Sequence, residues 1–496
     1  MKTHESFNAV ETTIGDIHAA YKSGQVTARQ LVQIYLDRID AYEKKGPAIN
    51  AITNLNARAL EDAERLDAAL KTSGFVGPLH GIPLIVKDQC DVKGMPTTLG
   101  SVVFKNFNPD RDCFVVDKLR KAGAIVIGKA TLGEMGAGDT HGSLFGSTRN
   151  PYDLERTVGG SSGGSAACVA ANFATIAIGQ EGFASIRRPA IWNCTVGMRP
   201  TAGLVSRGGV YAGWPATNGS LGPMTRTVTD LAKVLDVMVG YDPADPITAR
   251  GVGQIPESYT NVLSRDGLKG ARIGILREPM GFHVEPDSAD FAKVDAVFNR
   301  AVADLAKAGA SLVDPIVIPE LQALLALRAG NPDEEDESFA AYVKGCANAP
   351  FRSRAEVMAS PLFADTLRGV KTRWTKVTPP GAHYEYLKAR DRLMTLMLKV
   401  MADHQLDAIV HKAVEHQPTL IKDGVNPPYV DQKGAPHINT FLVFVPSIVV
   451  PAGFTSDKLP AGITFLGRPY DDANMIRFAY AYEQATKHRR PPQTTP

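Results

Sequence analysis

The sequence predicts an α/β protein, and three observations carry that expectation. Helical periodicities alternate with apolar runs too short for anything but buried strands. The stretch from Arg149 to Thr201 is rich in Gly, Ser and Ala and poor in charge, which suits the centre of a fold. No flexible linker and no internal repeat divides the chain, so one large domain is expected over 1–496, although 496 residues alone would suggest about three domains.

Taken in order, the elements read as follows. Thr27-Ala-Arg-Gln30 fits a capping box, and Leu31, Tyr35, Leu36 and Ile39 follow at helical spacing. A second helical run covers Ala57 to Thr72. Gly81 to Val86 is an apolar run ending at Lys87-Asp88, read as a buried strand; Phe114 to Ala122 reads as helix, and Ala124 to Gly128 as another buried strand. A strand is expected at Thr175 to Ile178, a helix over Asp230 to Val239 and a strand at Arg272 to Leu276. The region from 280 to 400 is less patterned, and its acidic run Asp333 to Glu337 reads as a solvated surface segment. Phe441 to Val450 and Ala461 to Leu466 read as core strands before a helix through Tyr480 and Tyr482.

Composition excludes several classes. Lys+Arg 54 against Asp+Glu 52 gives a net charge of +2, no footprint for nucleic acid. The five cysteines form no C-x-x-C pair, so neither a disulfide framework nor a cysteine zinc site is expected. The start of the chain lacks a signal-peptide pattern, and the most apolar window, Ala166 to Ile178, is too short and polar to span a bilayer. A cytoplasmic protein binding neither nucleic acid nor membrane is expected.

Gly159-Gly-Ser-Ser-Gly-Gly-Ser165 admits three chemical readings. A phosphate loop would need Gly-Lys-Ser/Thr at its end, and Ala166 follows Ser165 instead. A nucleophile elbow is formally satisfied with Ser162 at its centre, with His383, His411, His416 or His437 as the base, but such a match comes easily in a Gly/Ser run. The third reading is a serine hydrolase whose base is Lys87. Desolvation after an apolar run lowers an ammonium pKa, and Ser185 supplies a second hydroxyl after an apparent strand.

Order and spacing favour the third reading. Gly159 to Ala167, Ser185-Ile-Arg187 and Gly197-Met-Arg-Pro-Thr201 closely resemble the opening, nucleophile motif and close of the amidase signature family of Ser–Ser–Lys hydrolases. Gly77 to Asp88 resembles the family's lysine motif, Gly94 to Thr98 its continuation, and Gly222 to Val228 and Val450 to Gly453 further landmarks. Ser161 and Ser185 stand 24 residues apart, as the family's bridging and nucleophilic serines do. The resemblance reaches from the N-terminal helices to about residue 482, with a poor match between 280 and 400.

The resemblance implies a central mixed β-sheet covered by helices on both faces. N-terminal helices would occupy 1–75, a catalytic core 76–240, a variable substrate-shaping region 280–400, and C-terminal core strands and a helix 440–485. It implies Ser185 as nucleophile, Ser161 as relay and Lys87 as base, with no metal or cofactor. The oxyanion hole would be backbone N–H groups of Gly182, Phe183, Ala184 and Ser185. Here the chain departs from the family, which has Asp-x-Gly-Gly where this sequence has Glu181-Gly-Phe-Ala. A positive φ at 183 or 184 would strain these residues; ordinary φ would leave the hole intact. Met135, Gly136 and Phe183 are the expected substrate-binding residues, while Tyr211 and Trp214 suit either an aromatic pocket or core packing. His80 is expected to pack or hydrogen-bond, and Arg187 to pair inside the fold. The expected partner is a small neutral amide, anilide or carbamate, with a homodimer as an oligomeric option. The rivals are an amidase subunit of an amidotransferase complex and a non-catalytic binding protein on the same scaffold.

Overall fold

Eleven strands build one mixed sheet in the computed structural model, which describes residues 7–211 and 219–496. In chain order they are β1 (Ile52–Leu55), β2 (Pro83–Lys87), β3 (Ile125–Ala130), β4 (Ile176–Glu181), β5 (Val196–Arg199), β6 (Ser220–Thr225), β7 (Arg272–Leu276), β8 (Ser311–Ile316), β9 (Ala408–Lys412), β10 (Ser447–Phe454) and β11 (Pro460–Leu466). Their order across the sheet is β1-β3-β2-β4-β6-β5-β10-β11-β9-β7-β8. β3, β2 and β4 run parallel, as do β9, β7 and β8, while the pairings between β4 and β9 are antiparallel. Helices flank the sheet, which forms a single domain as the sequence predicts.

The strands that carry the motifs are buried along their whole length: every residue of β2, β3, β4 and β6 is covered. That explains why they read as continuous apolar runs rather than as alternation. The capping box at Thr27 forms as expected, with Gln30 N–H on the Thr27 hydroxyl and the Gln30 side chain on Thr27 N–H, and opens the helix Ala28–Tyr42.

One expectation shifts. The strand expected over Phe441 to Val450 begins only at Ser447, because Ile438–Thr440 is a short 3₁₀ turn and the buried apolar residues that follow it pack without joining the sheet. The acidic run lies at the surface as expected, with Asp333, Asp336 and Glu337 exposed; it opens the helix Pro332–Lys344, where its charges suit the positive helix end, and Glu335 pairs with the nearly buried Arg354 at 3.0 Å.

The 280–400 region holds more helix than its pattern suggested, including Ala289–Lys307 and Ala382–Asp403. A cluster containing Leu99, Phe104, Tyr211, Phe339, Tyr342 and Trp374 welds it to the motif-bearing half. Tyr211 belongs to that core, edge-on to Phe339 and Tyr342. Trp214 lies outside the described residues.

Candidate active site

The parallel pair β2 and β4 places the first two functional groups. Val86 lies opposite Ile178, so Lys87 leaves the end of β2 beside the last residues of β4. The carboxyl ends of parallel strands are where open α/β sheets gather ligands and catalytic groups. Lys87 is fully buried, and its Nζ stands 2.8 Å from Ser161 Oγ and 3.3 Å from the Gln180 carbonyl. No carboxylate among the described residues forms an ion pair with it, and desolvation lowers its pKa to about 7, against smaller opposing contributions from Cys90 and Glu181.

Ser161 stands in the Gly-rich turn that enters the helix Gly163–Ala170, after a cis Gly160–Ser161 peptide. The glycines there permit close approach. A Cβ on Gly163 would stand 2.1 Å from Thr140 Oγ1, and one on Gly160 2.4 Å from the Gly138 carbonyl. Ser161 Oγ receives Lys87 and donates to the Gly136 carbonyl at 2.8 Å. Ser162, the alternative nucleophile, is held on the Gln180 backbone, donating to its carbonyl at 3.1 Å and accepting from its N–H at 3.2 Å. Of the four histidines offered to an elbow, His411 and His416 are held on adjoining backbone carbonyls and His383 stands beside Glu334, while His437 lies edge-on to the Phe183 ring.

Ser185 follows β4 in the loop 182–185, and its carbonyl accepts the Ser162 N–H at 3.1 Å, tying the two serine segments together. The loop is clamped by Glu181. One carboxylate oxygen accepts the N–H groups of Ile186 and Arg187 at 2.8 and 3.0 Å, and the other receives Arg187 Nε at 2.7 Å. Arg187 also donates to the Phe183 carbonyl at 2.9 Å, so it pairs inside the fold as expected. Gly182, Phe183 and Ala184 all lie outside the positive-φ region, which resolves the question of strain. The N–H groups of residues 182–185 donate to no acceptor among the described residues. His80 stacks on Phe75 at 4.9 Å and accepts the Val76 N–H, a packing position away from the serines.

A cavity of about 850 Å³ lies beside this cluster and borders it through Gly138 and His437; Lys87, Ser161, Ser185 and residues 182–184 are not in its lining. From the segment 135–138 only Ala137 and Gly138 line it; Met135 is turned into the aromatic core, and Gly136 presents its carbonyl to Ser161. Phe183 is buried behind the wall, edge-on to His437 and Phe282, which do line it. Most of the remaining lining comes from residues 325–378 and 424–440. Residues 325–378 of this wall fall inside the 280–400 region expected to shape the substrate space, whereas nothing in the sequence pointed to 424–440; the Glu181 clamp was visible only as a departure from the family pattern.

With this geometry in view, the likenesses to known proteins are consistent. The Amidase family profile matches residues 30–476. A probable amidase of Arabidopsis thaliana is 32% identical, covering 99% of this chain and 93% of the relative. A glutamyl-tRNA(Gln) amidotransferase subunit of Thermosynechococcus vestitus is 34% identical, covering 97% of this chain and 100% of that protein. The crystal structure of peptide amidase from Stenotrophomonas maltophilia superposes with a TM-score of 0.85 at 34% identity, covering 98% and 99% of the two chains. The fold and site define an amidase-type hydrolase acting on carbon–nitrogen bonds. The chain belongs to the amidase signature family.

Proposed function

We propose that this enzyme hydrolyses a small-molecule amide through an acyl-enzyme on Ser185. The observation that carries the reading is the fully buried Lys87 Nζ at 2.8 Å from Ser161 Oγ, with its pKa lowered to about 7. An unprotonated Nζ accepts the Ser161 proton as that hydroxyl turns away from the Gly136 carbonyl. Ser161 in turn takes the proton of Ser185 while Ser185 Oγ attacks the substrate carbonyl. The free N–H groups of the 182–185 loop receive the developing oxyanion, where one such donor is typically worth about 3–4 kcal/mol. The proton then returns through Ser161 to the leaving nitrogen, the carbon–nitrogen bond breaks, and water releases the acyl group by the same relay. The wall supplied by residues 280–440 shapes the substrate space. The five cysteines, all free and buried, support a reducing, cytoplasmic setting.

A hydrolysis screen over primary amides, peptide amides, anilides and carbamates tests the reading. Turnover and labelling by a serine-directed probe are expected in the unsubstituted enzyme and lost in Ser185→Ala. A screen in which Ser185→Ala retains the activity overturns it. The likeness to the amidotransferase subunit of T. vestitus favours a second reading, an ammonia-producing subunit. Glutamine hydrolysed in preference to every other amide in the screen would select it.

A further inference from the structure

The wall nearest the nucleophile loop is built around the Phe183 ring. Arg328, in the turn after the helix Leu321–Leu325, lays its guanidinium 4.5 Å from the ring centre and lines the cavity. It makes no side-chain hydrogen bond or ion pair among the described residues. His437 stands edge-on to the same ring at 5.8 Å, and its buried Nδ1 has no partner there either. Burial and the Arg328 charge lower the His437 pKa to about 4, so its imidazole is neutral at pH 7.

The carboxylates of the cavity are already engaged. Asp139 pairs with Arg188 at 2.6 Å and Glu335 with Arg354, while Glu134 accepts the Leu367 N–H and the Ser143 hydroxyl. Asp431 accepts the Asp139 N–H at 2.7 Å and the Gln432 amide. The cations are not matched in the same way. Arg368 rests only on the Tyr429 ring, and Lys376 has no ion pair among the described residues. Five basic side chains line the space against four carboxylates, and Arg188 pairs with one of these, Asp139, from outside the lining, so the space presents net positive charge to whatever enters it. A guanidinium backed by an aromatic face keeps its N–H edges free, and that fork matches a carboxylate in two parallel hydrogen bonds.

We propose that Arg328, with His437 beside it, is an anion subsite that selects amides carrying a carboxylate a few bonds from the scissile carbonyl. Phe183 and Ser185 stand on one short loop, so the guanidinium over the Phe183 ring and the nucleophile border the same segment of chain. The proposal rests on the amidase reading and narrows it: a small neutral amide was the expected partner, whereas the excess positive charge of this wall favours an anionic one.

Calorimetry with the Ser185→Ala variant tests the subsite without turnover. Glutaramic acid, a primary amide with a terminal carboxylate, is expected to bind about tenfold or more tighter than its methyl ester. The ratio falls to near one in Ser185→Ala/Arg328→Gln, with Ser185→Ala/Arg328→Lys, which keeps the charge but loses the fork, in between. Equal affinities in Ser185→Ala, or a preference that survives Arg328→Gln, overturn the subsite. Turnover of both compounds by the unsubstituted enzyme separates the two claims. If neither is hydrolysed while the binding preference holds, the hydrolase reading falls and the anion subsite stands.

Discussion

Lys87 and Glu181 are both fully buried, yet the chain treats them in opposite ways. Glu181 has Arg187 and two backbone N–H groups, so its charge is matched. Among the described residues Lys87 has only a hydroxyl and a carbonyl, so desolvation governs it and brings its pKa to about 7. A base must be unprotonated to act. The rate constant kcat/KM is therefore expected to rise about tenfold per pH unit below 7 and to level off above it. A flat profile with chemistry rate-limiting would remove Lys87 from the role of base. Glu181 calls for a different measurement. Glu181→Ala leaves the Arg187 guanidinium buried without its carboxylate and the N–H groups of Ile186 and Arg187 without an acceptor. Losing one partner of a buried pair costs about 3–5 kcal/mol, read as a shift of the urea midpoint. Glu181→Gln keeps an acceptor and is expected to lose less.

At the scale of elements, the site is assembled by close packing of the turn 159–165 on the segment 131–140. A Cβ on Gly164 would stand 2.5 Å from the Thr131 carbonyl, a backbone atom that cannot swing aside. Gly164→Ala is expected to destabilise by about 1–3 kcal/mol and to lower kcat through displacement of Ser161, whereas Gly15→Ala, whose Cβ would meet nothing closer than 3.5 Å, would not disturb the turn. Unchanged melting temperature and kcat in Gly164→Ala would refute the packing argument. The same contrast explains which elements could be read in advance. β2, β3 and β4 are buried on both sides, so their apolar runs announce them, and Lys87, Ser161 and Ser185 sit in motifs attached to their ends. The helix Ala289–Lys307 was legible in principle: Ser288 caps it, and Val294, Val297, Phe298, Ala301, Val302 and Leu305 form one buried stripe. Arg328 was not. Its meaning depends on the Phe183 ring, 145 positions earlier in sequence, and nothing local encodes that contact.

The whole molecule is held across its length by contacts of that non-local kind. Asp472, at the start of the C-terminal helix Asp472–Thr486, accepts the Thr201 N–H at 3.0 Å and the Thr201 hydroxyl at 2.6 Å, so the last helix is tied to the end of β5. Asp472 is buried, and desolvation outweighs those hydrogen bonds, raising its pKa from 3.8 to about 6. The folded state then binds a proton that the unfolded state has released. This carboxyl consequently contributes fully below about pH 4 and loses part of its contribution as pH rises to 6, after which its effect is constant. Asp472→Asn keeps an acceptor for the Thr201 groups and cannot ionise. The stability of the unsubstituted protein relative to this variant is therefore expected to fall between pH 4 and 6, by on the order of 3 kcal/mol at most. Urea denaturation of both proteins at half-unit pH steps measures the difference. A relative stability that stays flat from pH 4 to 6 would mean that the hydrogen bonds from Thr201 balance or outweigh desolvation, with Asp472 charged in the folded protein throughout that window.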